Sequence, residues 1–114
     1  MIDYVPEQGD IAFLDFTPSA GREMVNPHPC YVISRRLFSE HTGFAIVAPI
    51  TSTVRGLPLE VKLPESLDTH GVILVHQLRS LDYGSSACTF IEKAPAAVRT
   101  AVNGLVQLIT QHSA

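Results

Sequence analysis

The hydrophobic period of this chain changes once, close to Pro95. Up to that point apolar residues come in runs of strand length, each bounded by glycine, proline or small polar residues. Beyond it, Val98, Ala101, Val102, Leu105, Leu108 and Ile109 recur at the spacing of one helical face. Short strands must bury a face, and an amphipathic helix must lie on an apolar surface. The pattern therefore predicts a mainly β fold, a small curled sheet or barrel, with a C-terminal α-helix packed against it.

The elements follow from the same reading. Gly9-Asp10 opens a first strand over Ile11–Phe16, apolar enough to be covered on both faces. A loop runs from Thr17 to Pro29, where Pro27 and Pro29 bracket His28 and restrict where its side chain points. Cys30–Ser34 reads as a second strand. Arg35–Thr42 reads as a short helical turn with Ser34 as its N-cap and Gly43 as its stop. Phe44–Ala48 reads as a third, buried strand, Pro49–Pro58 as a polar loop, and Leu59–Leu63 alternates as a half-exposed strand does. After a loop over Pro64–His70, Gly71–His76 is a further buried strand, with Leu78–Tyr83 and Ala87–Ile91 behind it. Pro95 suits the first turn of the closing helix. Gly104 inside that helix costs up to about 1 kcal/mol and is read as a close-packing position.

The 114 residues fit a single domain, 1–114, that buries roughly two-thirds of its unfolded surface and needs no disulfide or metal to fold. Hydrophobic residues at 46% and charged ones at 17% call for a packed core. The longest apolar run, Phe44–Ile50, is far too short to span a bilayer, and Met1–Glu7 lacks the basic and apolar regions of a signal peptide. The expected setting is cytoplasmic, without a membrane partner. Cys30 and Cys88 belong to no redox or metal pattern and read as small core-facing residues. A net charge of −3 argues against a general nucleic-acid coat. The acids crowd the first eighteen residues, while Arg22, Arg35, Arg36, Arg55 and Lys62 make the middle modestly basic, enough for a short single strand.

Three groups of residues, in order along the chain, carry a family resemblance. The first is Gly9-Asp10-Ile11, Asp15-Phe16-x-Pro18, Gly21-x-Glu23, Pro29 and Val32-Ile33-Ser34. The second is Ala48-Pro49-Ile50-Thr51, with Gly56 and Pro58. The third is Gly71-Val72-Ile73-Leu74-Val75-His76-Gln77-Leu78-Arg79-Ser80-Leu81. Together they resemble the MazF/PemK (Kid)-type toxins. The resemblance covers roughly residues 4–112. It implies an SH3-like β-barrel of the kind shared with CcdB, a homodimer, and metal-independent cleavage of single-stranded RNA. It also implies neutralisation by a MazE-like antitoxin, so that free toxin stops translation and growth.

Metal-free RNA cleavage needs a base for the 2′-hydroxyl, donors for the phosphate and an acid for the leaving 5′-oxygen. The family threonine maps to Thr51, whose hydroxyl can donate to a phosphate oxygen. The family arginine before the proline is replaced here by His28. Arginine is a fixed fork of donors, whereas histidine exchanges a proton near neutral pH. His76 stands where relatives often carry aspartate, so a base–acid pair of His28 and His76 is one arrangement. Glu23 matches an acidic loop residue that orients His28 or a base of the RNA. Arg22, Arg35, Arg55 and Arg79, with Ser52 and Gln77, are the candidate RNA contacts. Tyr31, Phe38 and Phe44 are candidates for stacking on a base, although core packing is the plainer expectation for Phe44. His41, His70 and His112 lack metal-ligand spacing, so neither a metal nor another cofactor is expected. Two other readings fit the same barrel: a CcdB-type gyrase inhibitor, which needs neither Thr51 nor His28, and a degenerate MazF-like module that only binds.

Overall fold

A long central strand, β3 (Phe44–Thr51), organises the sheet. In the computed structural model, which describes residues 4–15, 28–84 and 87–112, it follows β1 (Asp10–Asp15), β2 (His28–Val32) and the helix α1 (Arg36–Thr42). After it come β4 (Glu60–Lys62), β5 (Val72–Leu74), a 3-10 turn (Val75–Gln77), β6 (Arg79–Asp82), β7 (Ala87–Lys93) and the helix α2 (Ala96–Thr110). One edge of β3 pairs with β2. Its other edge is shared, with β6 along Phe44–Val47 and β5 along Ile50–Thr51. All pairings are antiparallel, in the order β4-β5-β3-β2-β1-β7, with β6 branching from β3.

The mainly β class with a C-terminal helix is as expected. Among the described residues, however, the strand path is open, ending at β4 and β7 instead of closing into a ring. The edge of β3 is split between β5 and β6, and α2 packs on one face of the sheet beside β4 and the 3-10 turn. Val98 and Val102 of α2 pack there with Ile11, Tyr31, Ile33, Ala48, Ile50, Ile73 and Val75. The opposite face of the same strands carries a second cluster of Ala12, Leu14, Cys30, Val32, Ala45 and Val47, against which Cys88 is half-buried. Both cysteines are thus packing residues, and burial pushes the Cys30 thiol up to about 12 and that of Cys88 to about 11. Strands with a core on each side explain the near-continuous apolar runs.

The N-terminal segment is fastened by a carboxylate. Asp10 is 2% exposed and accepts from the Tyr4 hydroxyl, the Lys93 ammonium and, at 3.0 Å, the Glu7 N–H. Three donors offset the desolvation that an isolated buried carboxylate would suffer. Gly9 beside it has φ +92°, and a Cβ there would lie 2.6 Å from Arg99 Cδ. The residue that opens the first strand is therefore glycine for both backbone and space.

Several local expectations are corrected. Ser34 does not cap α1; Arg35 holds the N-cap position, and Ser34 Oγ instead accepts from Ile46 N–H at 2.9 Å. The first turn of α1 is met by Glu7, whose carboxylate accepts from Arg36 N–H at 2.8 Å, a partner no local motif announces. Gly43 does end the helix, at φ +77°. β3 runs on through Pro49 to Thr51, because that proline falls where β3 leaves one neighbour and joins the next. Phe44 is 42% exposed, so it is no core residue, whereas Tyr31 is wholly buried and unavailable for stacking on a base. Gly104 faces open space and is not a close-packing position. Leu108 and Ile109 also face outward, beyond Leu105 and Val106, which still pack against the core.

Candidate active site

Register places the candidate residues before any side chain is considered. β1 and β2 pair Leu14 with His28, and β2 and β3 pair Cys30 with Pro49. Continuing the latter register by two residues sets Thr51 opposite His28, and directly opposed residues of neighbouring strands project to the same side. β6 pairs Arg79 with Val47, which puts Arg79 on that side as well. Three residues far apart in sequence thus share one face of the sheet at the end where β3 changes partner.

The third wall of the site depends on a close backbone approach. β5 pairs Val72 with Thr51, so the residue before Val72 runs against the Thr51–Ser52 backbone. That residue is Gly71, at φ +120°, and a Cβ on it would fall 2.2 Å from the Thr51 carbonyl oxygen. Only glycine allows this approach, which brings the preceding His70 beside Thr51. The result is a cavity of about 470 Å³ lined by His28, Pro29, Pro49, Ile50, Thr51, Ser52, His70, Leu74 and Gln77.

Within it, His28 is half-buried, with Nδ1 3.3 Å from the Pro29 carbonyl oxygen. Burial pushes its imidazole below the ordinary histidine value. The Pro29 carbonyl works against this, and the Arg79 guanidinium adds to it. The balance favours the neutral ring, the form that accepts a proton. Thr51 Oγ1 accepts from Thr53 N–H at 3.1 Å, which orients the hydroxyl and leaves its own hydrogen to donate.

Of the residues singled out in the sequence, His28, Thr51, Ser52 and Gln77 meet in this cavity, and Arg79 acts on His28 through its charge. His76 is exposed on the 3-10 turn and does not line the cavity. Arg35 lines a different groove beside α1, together with Phe38. Arg55 lies in an exposed loop held by its backbone, with its N–H 3.3 Å from both Glu60 carboxylate oxygens. Arg22, Glu23 and Pro27 fall outside the described residues. His70 also lines the cavity, although it lacks metal-ligand spacing and belongs to none of the motif segments. The signal that finds it is Gly71, whose required conformation fixes its neighbour. Among the described residues no three His, Cys, Asp or Glu side chains converge as a metal site.

The chain matches the family model described as PemK-like, MazF-like toxin of type II toxin-antitoxin system over residues 7–110. It is 33% identical to the endoribonuclease toxin MazF of Escherichia coli K12 over 86 residues, 75% of this chain and 77% of that one. The crystal structure of MazF from Deinococcus radiodurans superposes with a TM-score of 0.85 at 37% identity, covering 96% of this chain and all of that one. The MazE–MazF complex from the same organism gives 0.87 at 36% identity over 96% of this chain. Sheet topology, the motif-bearing segments and these matches agree, and the chain belongs to the PemK-like, MazF-like toxins of type II toxin-antitoxin systems.

Proposed function

We propose that this toxin is an endoribonuclease that cleaves single-stranded RNA in the cavity between β2, β3 and the 70–77 segment, without a metal. The observation that carries the reading is the convergence of His28, Thr51, Ser52 and Gln77 on one cavity in a chain of this family. Its relatives in Escherichia coli and Deinococcus radiodurans bear the name MazF, and the former is called an endoribonuclease toxin.

Each residue has a chemical part. The neutral His28 ring takes the proton of the 2′-hydroxyl as that oxygen attacks phosphorus. The Thr51 hydroxyl donates to a non-bridging phosphate oxygen as charge builds there, and Arg79 supplies positive charge on the same face. Ser52 and Gln77, both exposed at the rim, offer donors and acceptors to the flanking bases. The products are a 2′,3′-cyclic phosphate and a 5′-hydroxyl. Glu23 and Arg22, which precede His28 in the chain, are proposed as further RNA contacts.

The chain acts as one toxin domain, 1–114, in the cytoplasm, where cleavage of messenger RNA halts translation. It pairs as a homodimer, for which the outward Leu108 and Ile109 of α2 offer an apolar surface, at 72% and 45% exposure. A MazE-like antitoxin with an acidic, apolar tail silences it, by analogy with the Deinococcus radiodurans complex.

The test is incubation of the purified protein with a long unstructured RNA in EDTA, followed by mapping of 5′ ends. Discrete cuts that persist in EDTA are expected. Intact RNA with inhibited gyrase would instead favour a CcdB-like toxin, and intact RNA with active gyrase a module that only binds.

A further inference from the structure

We infer that His70 is a second proton-carrying residue of the RNA site, the acid that protonates the leaving 5′-oxygen, and that Glu92 is its positioning residue. The inference rests on the nuclease reading and names a residue that reading does not use.

Three observations carry it. His70 lines the same cavity as His28 and Thr51 and is exposed to whatever enters it. The approach of Gly71 to the Thr51 carbonyl is too close for any side chain, so the backbone that leads out of His70 is held against the end of β3. The chain just before His70 is also clamped. Glu92 on β7 accepts from Asp68 N–H at 3.1 Å and, with its other oxygen, from Thr69 N–H at 2.7 Å. Burial alone would raise the Glu92 carboxyl. The Thr69 hydroxyl, the two N–H groups and the His70 charge outweigh that and hold it below the usual range. A carboxylate from a strand at the far end of the sheet thus fixes the two residues leading into His70.

The step balances with two histidines. The O2′–P bond forms and the P–O5′ bond breaks. The 2′ proton passes to neutral His28, and O5′ receives a proton from the His70 imidazolium. The charged groups that act on the pair are Arg79 on His28 and Glu92 on His70.

The test uses the full-length protein and a short RNA spanning a mapped cut, made with the ordinary 5′-oxygen and with sulfur in that position. A thiolate leaves without an acid. His70→Ala should cut the ordinary RNA about 10²-fold more slowly in kcat and cut the sulfur-bridged RNA at the wild-type rate, which also shows that the variant is folded. Glu92→Gln should slow cleavage of ordinary RNA and leave the sulfur-bridged RNA at the wild-type rate, a split that a general loss of structure would not produce. Unchanged cleavage of ordinary RNA by His70→Ala, or equal loss on both substrates, overturns the inference while the nuclease reading stands. A wild-type protein that leaves both RNAs intact overturns the nuclease reading, and this one with it.

Discussion

Two hollows of nearly equal size lie at opposite ends of β3, and they differ in chemistry. The groove beside α1 measures about 480 Å³ and is walled by Ile33, Leu37, Phe38 and Ile46, with Arg35 and His41 at its margin. The cavity at the other end measures about 470 Å³ and holds two imidazoles, two hydroxyls and an amide. Volume therefore identifies neither as the site. What separates them is how their polar groups are held. Arg35 caps, and His41 belongs to, a seven-residue helix on the surface. His28 and Thr51 are fixed by strand register, and His70 by a glycine that touches backbone. Chemistry that depends on distances of a few tenths of an ångström belongs where the backbone is over-determined.

That contrast is broken most severely at His28. His28→Ala should lower kcat by about 10³-fold on an RNA containing the mapped cut. In the wild type the acid limb of kcat/KM should fall below the ordinary imidazole value of about 6.5, because a base works only when deprotonated and burial lowers this one. The rate should rise as pH climbs through that lowered value, and the variant should lose the limb. A limb that persists in His28→Ala would assign it to another group.

Thr51→Val should cost about 10²-fold in kcat, since it removes a donor aimed at the phosphate. Thr51→Ser should recover most of it. Equal losses in both would make the methyl group, and not the hydroxyl, the important part.

The two ends also differ in what their positive-φ glycines do. Gly71→Ala should destabilise the fold by about 3 kcal/mol in urea titration, because the new methyl meets a carbonyl oxygen. Gly43→Ala has open space around it and should cost only about 1 kcal/mol for the left-handed conformation. Similar losses would mean that the Thr51–Ser52 backbone can move aside.

The smallest effect is expected at the apolar groove. Leu37→Ser, at a residue 54% exposed, should leave cleavage within about twofold of wild type. A larger loss of kcat would make the groove part of the RNA site and dissolve the distinction between the two ends.

Much of this was legible in the sequence where the signal is local. The change of period near Pro95 gave α2, and the near-continuous apolar runs of β1 and β3 announced strands covered on both faces. Gly43 marked the end of α1. The order of motif segments gave the family. Where partners lie far away, local reading failed. Ser34 has the right composition for a cap, yet Arg36 is met by Glu7 from the N-terminal segment. Pro49 looks like a strand terminator, yet β3 continues past it by exchanging β2 for β5. His76 occupies a family position, yet the chain turns there into a 3-10 turn, and the exposed ring does not line the cavity.

The sequence by itself determined which elements form, their order and the chemical types available, because propensity and hydrophobic period act over a few residues. Only the tertiary structure decided which histidine stands beside Thr51. That choice depends on strand register and on an approach at Gly71 so close that a Cβ there would lie 2.2 Å from the Thr51 carbonyl oxygen, and neither leaves a periodic trace along the chain.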